Sequence, residues 1–194
     1  MPTMSRAEQA FCRSAPWRAF TRTVVLHWAL QGVRLDGRVL EIGAGSGAMA
    51  AALAEGNPDP RLTVTDYDPS MVEAAARRLR GHERVEVRQA DATSLPFDDG
   101  SFDAVVSFIM LHHVGAWEEA LAQACRVLRP GGTLVGYDLL ANRRMHAPHH
   151  AGRSGHRMMR VAELSATLAT LPLSDVAVRP GLGGSVVRFR ARRA

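Results

Sequence analysis

Between residues 38 and 138, short apolar runs alternate with stretches of helical spacing, and that rhythm leaves few folds open to the chain. Residues 38–42 (RVLEI), 62–65 (LTVT), 85–88 (VEVR), 102–108 (FDAVVSF) and 133–137 (TLVGY) read as five strands. Among them, residues 46–55 (SGAMAAALAE) read as an alanine-rich helix. Residues 69–80 (PSMVEAAARRLR) begin with proline, which suits a first helical turn, and residues 117–128 carry another helical pattern closed by the stop signal Arg-Pro-Gly-Gly at 129–132. Strands alternating with helices of this length predict right-handed βαβ units around a doubly wound parallel sheet. VLEI and AVVSF are almost continuously apolar, as central strands covered on both faces must be. Residues 141–155, rich in Arg, His, Pro and Gly, read as a mobile loop. A helix at 161–171 and strand-like pieces at 175–179 and 185–191 follow it. Residues 7–30 look like one or two amphipathic helices ahead of the sheet.

A length of 194 residues suits one domain, with a lead segment at 1–34 and the α/β unit over 35–194. No apolar run approaches the roughly 18 residues of a membrane span. The N-terminus lacks an apolar stretch ending in a small-residue cleavage site, so the expected location is cytoplasmic. Two cysteines, Cys12 and Cys125, without a CxxC do not make a disulfide framework. The formal charge is +5, carried by 24 arginines and no lysine. Such a balance suits anionic partners, nucleic acid among them. The arginines are scattered and not interleaved with aromatics, however, which favours a small-molecule acceptor. Arg188, Arg190 and Arg192 would share one side of the last strand and read as a solvated edge. His146, His149, His150 and His156 invite a zinc site, but no cysteine or carboxylate completes the set at ligand spacing, so no metal is expected. The oligomeric state stays open, a homodimer included.

In an open α/β sheet, ligands bind beyond the carboxyl ends of the strands near the switch point. The turn after the first strand is Glu41-Ile42-Gly43-Ala44-Gly45-Ser46-Gly47. Its glycines let the backbone turn tightly and approach a ligand with no Cβ in the way. The spacing is G-x-G-x-G, whereas the dinucleotide fingerprint is G-x-G-x-x-G with pyrophosphate on the helix N-terminus. A carboxylate two residues before the first glycine repels pyrophosphate but attracts an amino group or a sulfonium. The turn therefore favours a cationic ligand such as S-adenosylmethionine over NAD. Asp66, ending the second strand, can accept from both ribose hydroxyls, and Asp91, past the third, from an adenine amine beside the Ala92 N–H. Competing readings are a Glu41 satisfied by backbone amides, and an Asp66 and Asp91 that merely cap turns or helices.

VLEIGAGSG, TVTDYDPSM, QADATSLPFDDGSFDAVVSFIMLHHV and RVLRPGGTLV together resemble the successive motifs of class I S-adenosylmethionine-dependent methyltransferases, and most closely the small-molecule, quinone-biosynthesis-like subgroup. The resemblance covers roughly residues 35–140. It implies a Rossmann-like seven-stranded sheet, mostly parallel with the last strand antiparallel, which places residues 185–191 between the fifth and sixth strands. It also implies donor contacts. Gly43, Ala44 and Gly45 would meet the methionine part above Glu41, Asp66 and Tyr67 would hold the ribose, and Gly47 and Met71 would also belong to the donor site. Asp91 and Ala92 would hold the adenine, and Ser107 and Phe108 would flank the sulfonium.

Methyl transfer is an in-line displacement in which alignment and desolvation supply most of the catalysis. A base is needed only when the acceptor must lose a proton, and His112 or His113 at the mouth of the fourth strand can serve. Tyr137 and Asp138 are candidates to line the acceptor pocket. Phe11, Trp17, Phe20 and Trp28 can either form a partial lid or simply pack the N-terminal helices on the sheet. Alternative functions are an RNA or protein methyltransferase, a non-catalytic cofactor-binding partner subunit, and an NAD(P)-dependent oxidoreductase. Against RNA acceptors, SFIM stands where amino-directed nucleic-acid enzymes carry an Asn/Asp-Pro-Pro-Tyr motif.

Overall fold

The computed structural model describes residues 24–30, 32–57, 59–141 and 157–194. Seven strands form one sheet: β1 (Arg38–Ile42), β2 (Arg61–Asp66), β3 (Val85–Gln89), β4 (Phe102–Phe108), β5 (Leu128–Leu139), β6 (Leu173–Gly181) and β7 (Val186–Arg193). Their order is β3-β2-β1-β4-β5-β7-β6. All pair in parallel except β7, which is antiparallel to both β5 and β6 and lies between them, as expected. Five α-helices are described, α1 (Leu26–Leu30), α2 (Ala48–Gly56), α3 (Pro69–Arg78), α4 (Trp117–Val127) and α5 (Val161–Thr170), with short 3-10 turns at Leu111–His113 and Leu182–Gly184. Among the described residues no helix is long and apolar enough to cross a membrane.

The sheet is buried on both faces, and the strand pattern explains how. Alternate residues of β1 enter different cores, Val39 with Val64, Val106 and Val135 on one side, Leu40 and Ile42 with Val105 and Leu134 on the other. The first core is closed by α1, α2 and α3 through Ala29, Ala50, Leu53 and Ala75. The second is closed by α4 and α5 through Trp117, Leu121, Leu164 and Leu168. Helix α3 begins where Asp68 accepts from the Ser70 N–H at 2.8 Å, with Pro69 behind it and Arg77 and Arg78 in its last turn. Helix α4 places Glu118 and Glu119 in its first turn and Arg126 in its last, the polarity the helix dipole favours.

Most element limits shift by a residue or two from expectation, and three of the differences have a visible backbone cause. Helix α2 starts at Ala48 rather than 46, because Gly47 takes a left-handed conformation (φ 75°) that a helix cannot include. Strand β5 starts at Leu128, not 133. Leu128 pairs with Phe102 and Thr133 with Ala104, so five steps on β5 oppose two on β4 and the Arg-Pro-Gly-Gly segment forms an irregular bulge inside the strand. Strand β6 extends over Leu173–Gly181 through a register shift between Ser174 and Ala177. Of the expected N-terminal helical stretch only residues 24–30, which include α1, fall among the described residues. Phe11, Trp17, Phe20, the four loop histidines and all of the expected loop except Ala141 lie outside them.

Candidate functional site

The strand order reverses between β1 and β4, and the carboxyl ends of those two strands open the crevice. The glycine turn leaves β1 there and is tied to the end of β2. The Ala44 N–H donates to the Thr65 carbonyl (2.9 Å), and the Gly45 N–H donates to Asp66 Oδ2 (2.7 Å). The glycines divide the work. A Cβ on Gly43 would lie 2.6 Å from Met110 Cβ, and one on Gly47 would lie 3.1 Å from Ala75 Cβ, so these two permit close packing. Gly45 (φ 55°) alone has nothing within 4 Å of such an atom, so it is the glycine that faces open space.

Glu41 is 1% exposed, and its Oε2 has no hydrogen-bond partner among the described residues. Burial, and then the charge of Asp66, push its carboxyl up to about 8. A buried carboxyl oxygen with no donor among the described residues suits a positively charged group of a ligand. Asp66 is partly buried, and Oδ1 accepts from the Asp68 N–H at 2.9 Å. Burial raises its pKa from the ordinary value while the Asp68 and Gly45 N–H groups pull the other way. Tyr67 is 41% exposed at the rim, whereas Met71 is buried in the first turn of α3.

Asp91 Oδ1 accepts from the Thr93 N–H (2.8 Å) and hydroxyl (2.7 Å), closing the turn after β3. The capping role is therefore present at Asp91, and only Oδ1 takes part in it. Ala92 beside it is 5% exposed. At the end of β4, Ser107 is fully buried with its hydroxyl unpartnered among the described residues. Phe108 sets its ring 5.7 Å from Tyr137, which meets Trp28 edge-on at 5.4 Å. Trp28 in turn lies under the Arg188 guanidinium (4.6 Å), so it packs α1 on the sheet. Ile109 follows at φ 52°, a conformation that a β-branched residue adopts only when its surroundings impose it. Its N–H donates to the Tyr137 carbonyl (2.9 Å), and its neighbour Met110 fills the space left by Gly43.

Asp138, expected near the acceptor pocket, is 0% exposed. Oδ2 accepts from the Leu111 N–H (2.7 Å), and Oδ1 meets the Leu139 N–H and His112 Nδ1, both at 2.6 Å. His112 is itself 2% exposed, and the His113 ring lies 4.0 Å from it. A carboxylate within GTLVGYDLL was the available signal, because a charge inside an apolar strand demands buried partners.

The fold and this turn define an α/β domain whose switch point carries a glycine turn beside two acidic side chains, Glu41 and Asp66. A methyltransferase-domain family model matches residues 40–136. A demethylmenaquinone methyltransferase of Clavibacter sepedonicus is 44% identical over 98 residues, which are 50% of this chain and 39% of that protein. One from Tropheryma whipplei is 31% identical over 165 residues, 82% of this chain and 67% of that protein. The chain thus spans less than half of the first of these relatives. In structure, a SAM-dependent methyltransferase from Aquifex aeolicus superimposes with a TM-score of 0.75 at 16% identity, covering 99% of this chain and 100% of that one. The chain belongs to the methyltransferase-domain family.

Proposed function

We propose that this domain transfers a methyl group from S-adenosylmethionine to a small, flat organic acceptor of the hydroquinone type. The observation that carries the donor assignment is the buried, unpartnered Oε2 of Glu41 beneath a turn whose Gly45 faces open space. When bound, the donor supplies an electrophilic methyl carbon on a sulfonium. Glu41 holds positive charge, Gly43, Ala44, Gly45 and Gly47 give backbone room, and Asp66 with Tyr67 and Met71 bounds the ribose. Asp91 and Ala92 take the adenine, and Ser107 and Phe108 wall the sulfonium. His112, His113 and Tyr137 form the acceptor side. The relatives named as demethylmenaquinone methyltransferases support the acceptor class, as does the run of rings Phe108–Tyr137–Trp28.

Mixing the protein with S-adenosylmethionine and chemically reduced demethylmenaquinone, and following the methylated product by mass spectrometry, tests the acceptor. Product at the expected added mass supports it; binding of the donor with no product from this quinol counts against it.

The glycines give a second test. Gly45→Ala places a methyl group in open space and costs about 1 kcal/mol of backbone strain. It is expected to weaken donor binding by about tenfold or more through direct obstruction, with a small change in melting temperature. Gly43→Ala adds a collision with Met110 to the same strain and is expected to destabilise the fold by about 2–4 kcal/mol. Equal melting shifts for the two variants in calorimetry would contradict this division of roles.

A further inference from the structure

We infer that Arg78 is a positioning residue for the donor: from the last turn of α3 it clamps Ser46 and holds the glycine turn in the shape that receives the ligand. The inference rests on the donor binding proposed above. Gly43, Gly45 and Gly47 all sit at positive φ (65°, 55° and 75°), backbone that glycine enters freely. A turn built of such residues loses much conformational freedom when it is ordered. If that order exists before the ligand arrives, binding is spared the cost.

The contacts that impose the order come from different sides. Two run to β2, from the Ala44 N–H to the Thr65 carbonyl and from the Gly45 N–H to Asp66. One is internal, from the Gly47 N–H to the Ala44 carbonyl at 3.0 Å. The remaining residue, Ser46, is held from 32 positions along the chain. Arg78 Nη1 donates to the Ser46 carbonyl (2.7 Å) and to its Oγ (2.9 Å). Ser46 is 4% exposed, so water is a poor substitute for this donor, and a charged donor on buried acceptors makes a strong bond.

Packing fixes the place from which Arg78 reaches. Ala75, one turn earlier, and Leu79, next in the chain, are both buried. They lie 3.1 Å and 3.3 Å from where a Cβ on Gly47 would stand. Helix α3 thus meets Ser46 through a guanidinium and Gly47 through apolar contact. The same helix begins at Pro69, three residues past Asp66. One element therefore runs from the ribose carboxylate to the back of the glycine turn, and Arg78 is its polar hold on that turn.

A residue that orders the turn acts alike on every ligand that uses it. S-adenosylmethionine and its demethylated product should lose the same factor in affinity, while kcat at saturating donor is kept. Burial and Asp66 set the raised pKa of Glu41, so the pH slope of donor binding should also be kept.

Calorimetric titration of Arg78→Met with S-adenosylmethionine and S-adenosylhomocysteine tests the inference. Both dissociation constants are expected to rise by about 5–30-fold, read well below a melting temperature lowered by only a few degrees. Arg78→Lys, which keeps a charged donor, should recover part of the loss. Arg77→Met removes a neighbouring charge that is paired with Glu73 on the surface, and should stay within about twofold of wild type. In the ligand-free protein, amide exchange at Gly45 and Gly47 should quicken by about tenfold in Arg78→Met. An unchanged dissociation constant in Arg78→Met, an equal loss in Arg77→Met, or a loss confined to kcat overturns the inference. If Arg78→Met does not fold, Ser46→Ala decides: it removes one of the two acceptors, and unchanged donor affinity there overturns the inference as well. Failure of the wild type to bind either ligand counts against the donor reading, and the amide-exchange comparison then decides the clamp by itself.

Discussion

Glu41→Gln is expected to make the unliganded protein more stable and the donor complex weaker. The carboxyl of Glu41 titrates near 8 in the fold against an ordinary value of 4.5, so at neutral pH it is mostly protonated. Its unfolded counterpart is ionised there, and unfolding releases the proton. The stability contributed by the raised pKa is complete below 4.5 and is lost as pH rises towards 8, at up to about 1.4 kcal/mol per pH unit. Glutamine has no proton to lose, so the margin by which the variant's melting temperature exceeds the wild type's should widen between pH 5 and pH 8. Donor binding should run the other way. A cation beside Glu41 favours its ionised form, so wild-type affinity should rise with pH, by up to about tenfold per unit, and level off above pH 8. The variant should bind more weakly and without that slope. Thermal unfolding and calorimetric titration over one pH series check both halves. Parallel slopes in the two proteins would show that Glu41 does not meet the cation.

Asp66→Ala is expected to lower donor affinity by about 10²-fold or more, through loss of a charged acceptor for two ribose hydroxyls. The structure adds a second cause. Asp66 also receives the Gly45 N–H at 2.7 Å and the Asp68 N–H at 2.9 Å, so the variant loses the clasp that holds the glycine turn to β2. Asp66→Asn, which keeps one acceptor oxygen, should fall between the two. The same substitutions carry an internal check. The charge of Asp66 is the second cause of the raised Glu41 pKa, so in Asp66→Ala the pH at which Glu41 titrates should move down. Unchanged affinity in Asp66→Ala would show that the ribose is held elsewhere.

Much of the framework was legible because its physics is local and periodic. The apolar runs at β1 and β4 identify central strands, and the Asp68-Pro69 start identifies α3. The position of β7 between β5 and β6 came from the family resemblance, since an antiparallel insertion leaves no period in the chain. The strand limits were least legible where a ladder resumes after a bulge, as it does from Leu128 to Thr133. In the site, Glu41, Gly45 and Asp66 stand at places that strand-end arithmetic reaches. The roles of Gly43 and Gly47 did not, because they depend on Met110 and Ala75, far along the chain. The partners of Asp138 are hidden from the sequence for the same reason. Its partners Leu111 and His112 are 27 and 26 residues away, and only the adjacency of β4 and β5 brings them together. The left-handed Ile109 carries no sequence signal, since nothing in its type asks for that conformation.

The central claim is that the glycine turn above Glu41 receives a cationic adenosyl donor and not a dinucleotide. Calorimetric titration of the protein with S-adenosylmethionine and with NAD, side by side at pH 8, tests it most directly. The account predicts saturable binding of S-adenosylmethionine that is weakened in Glu41→Gln, and no measurable binding of NAD. Binding of NAD alone, or of neither ligand, would contradict it.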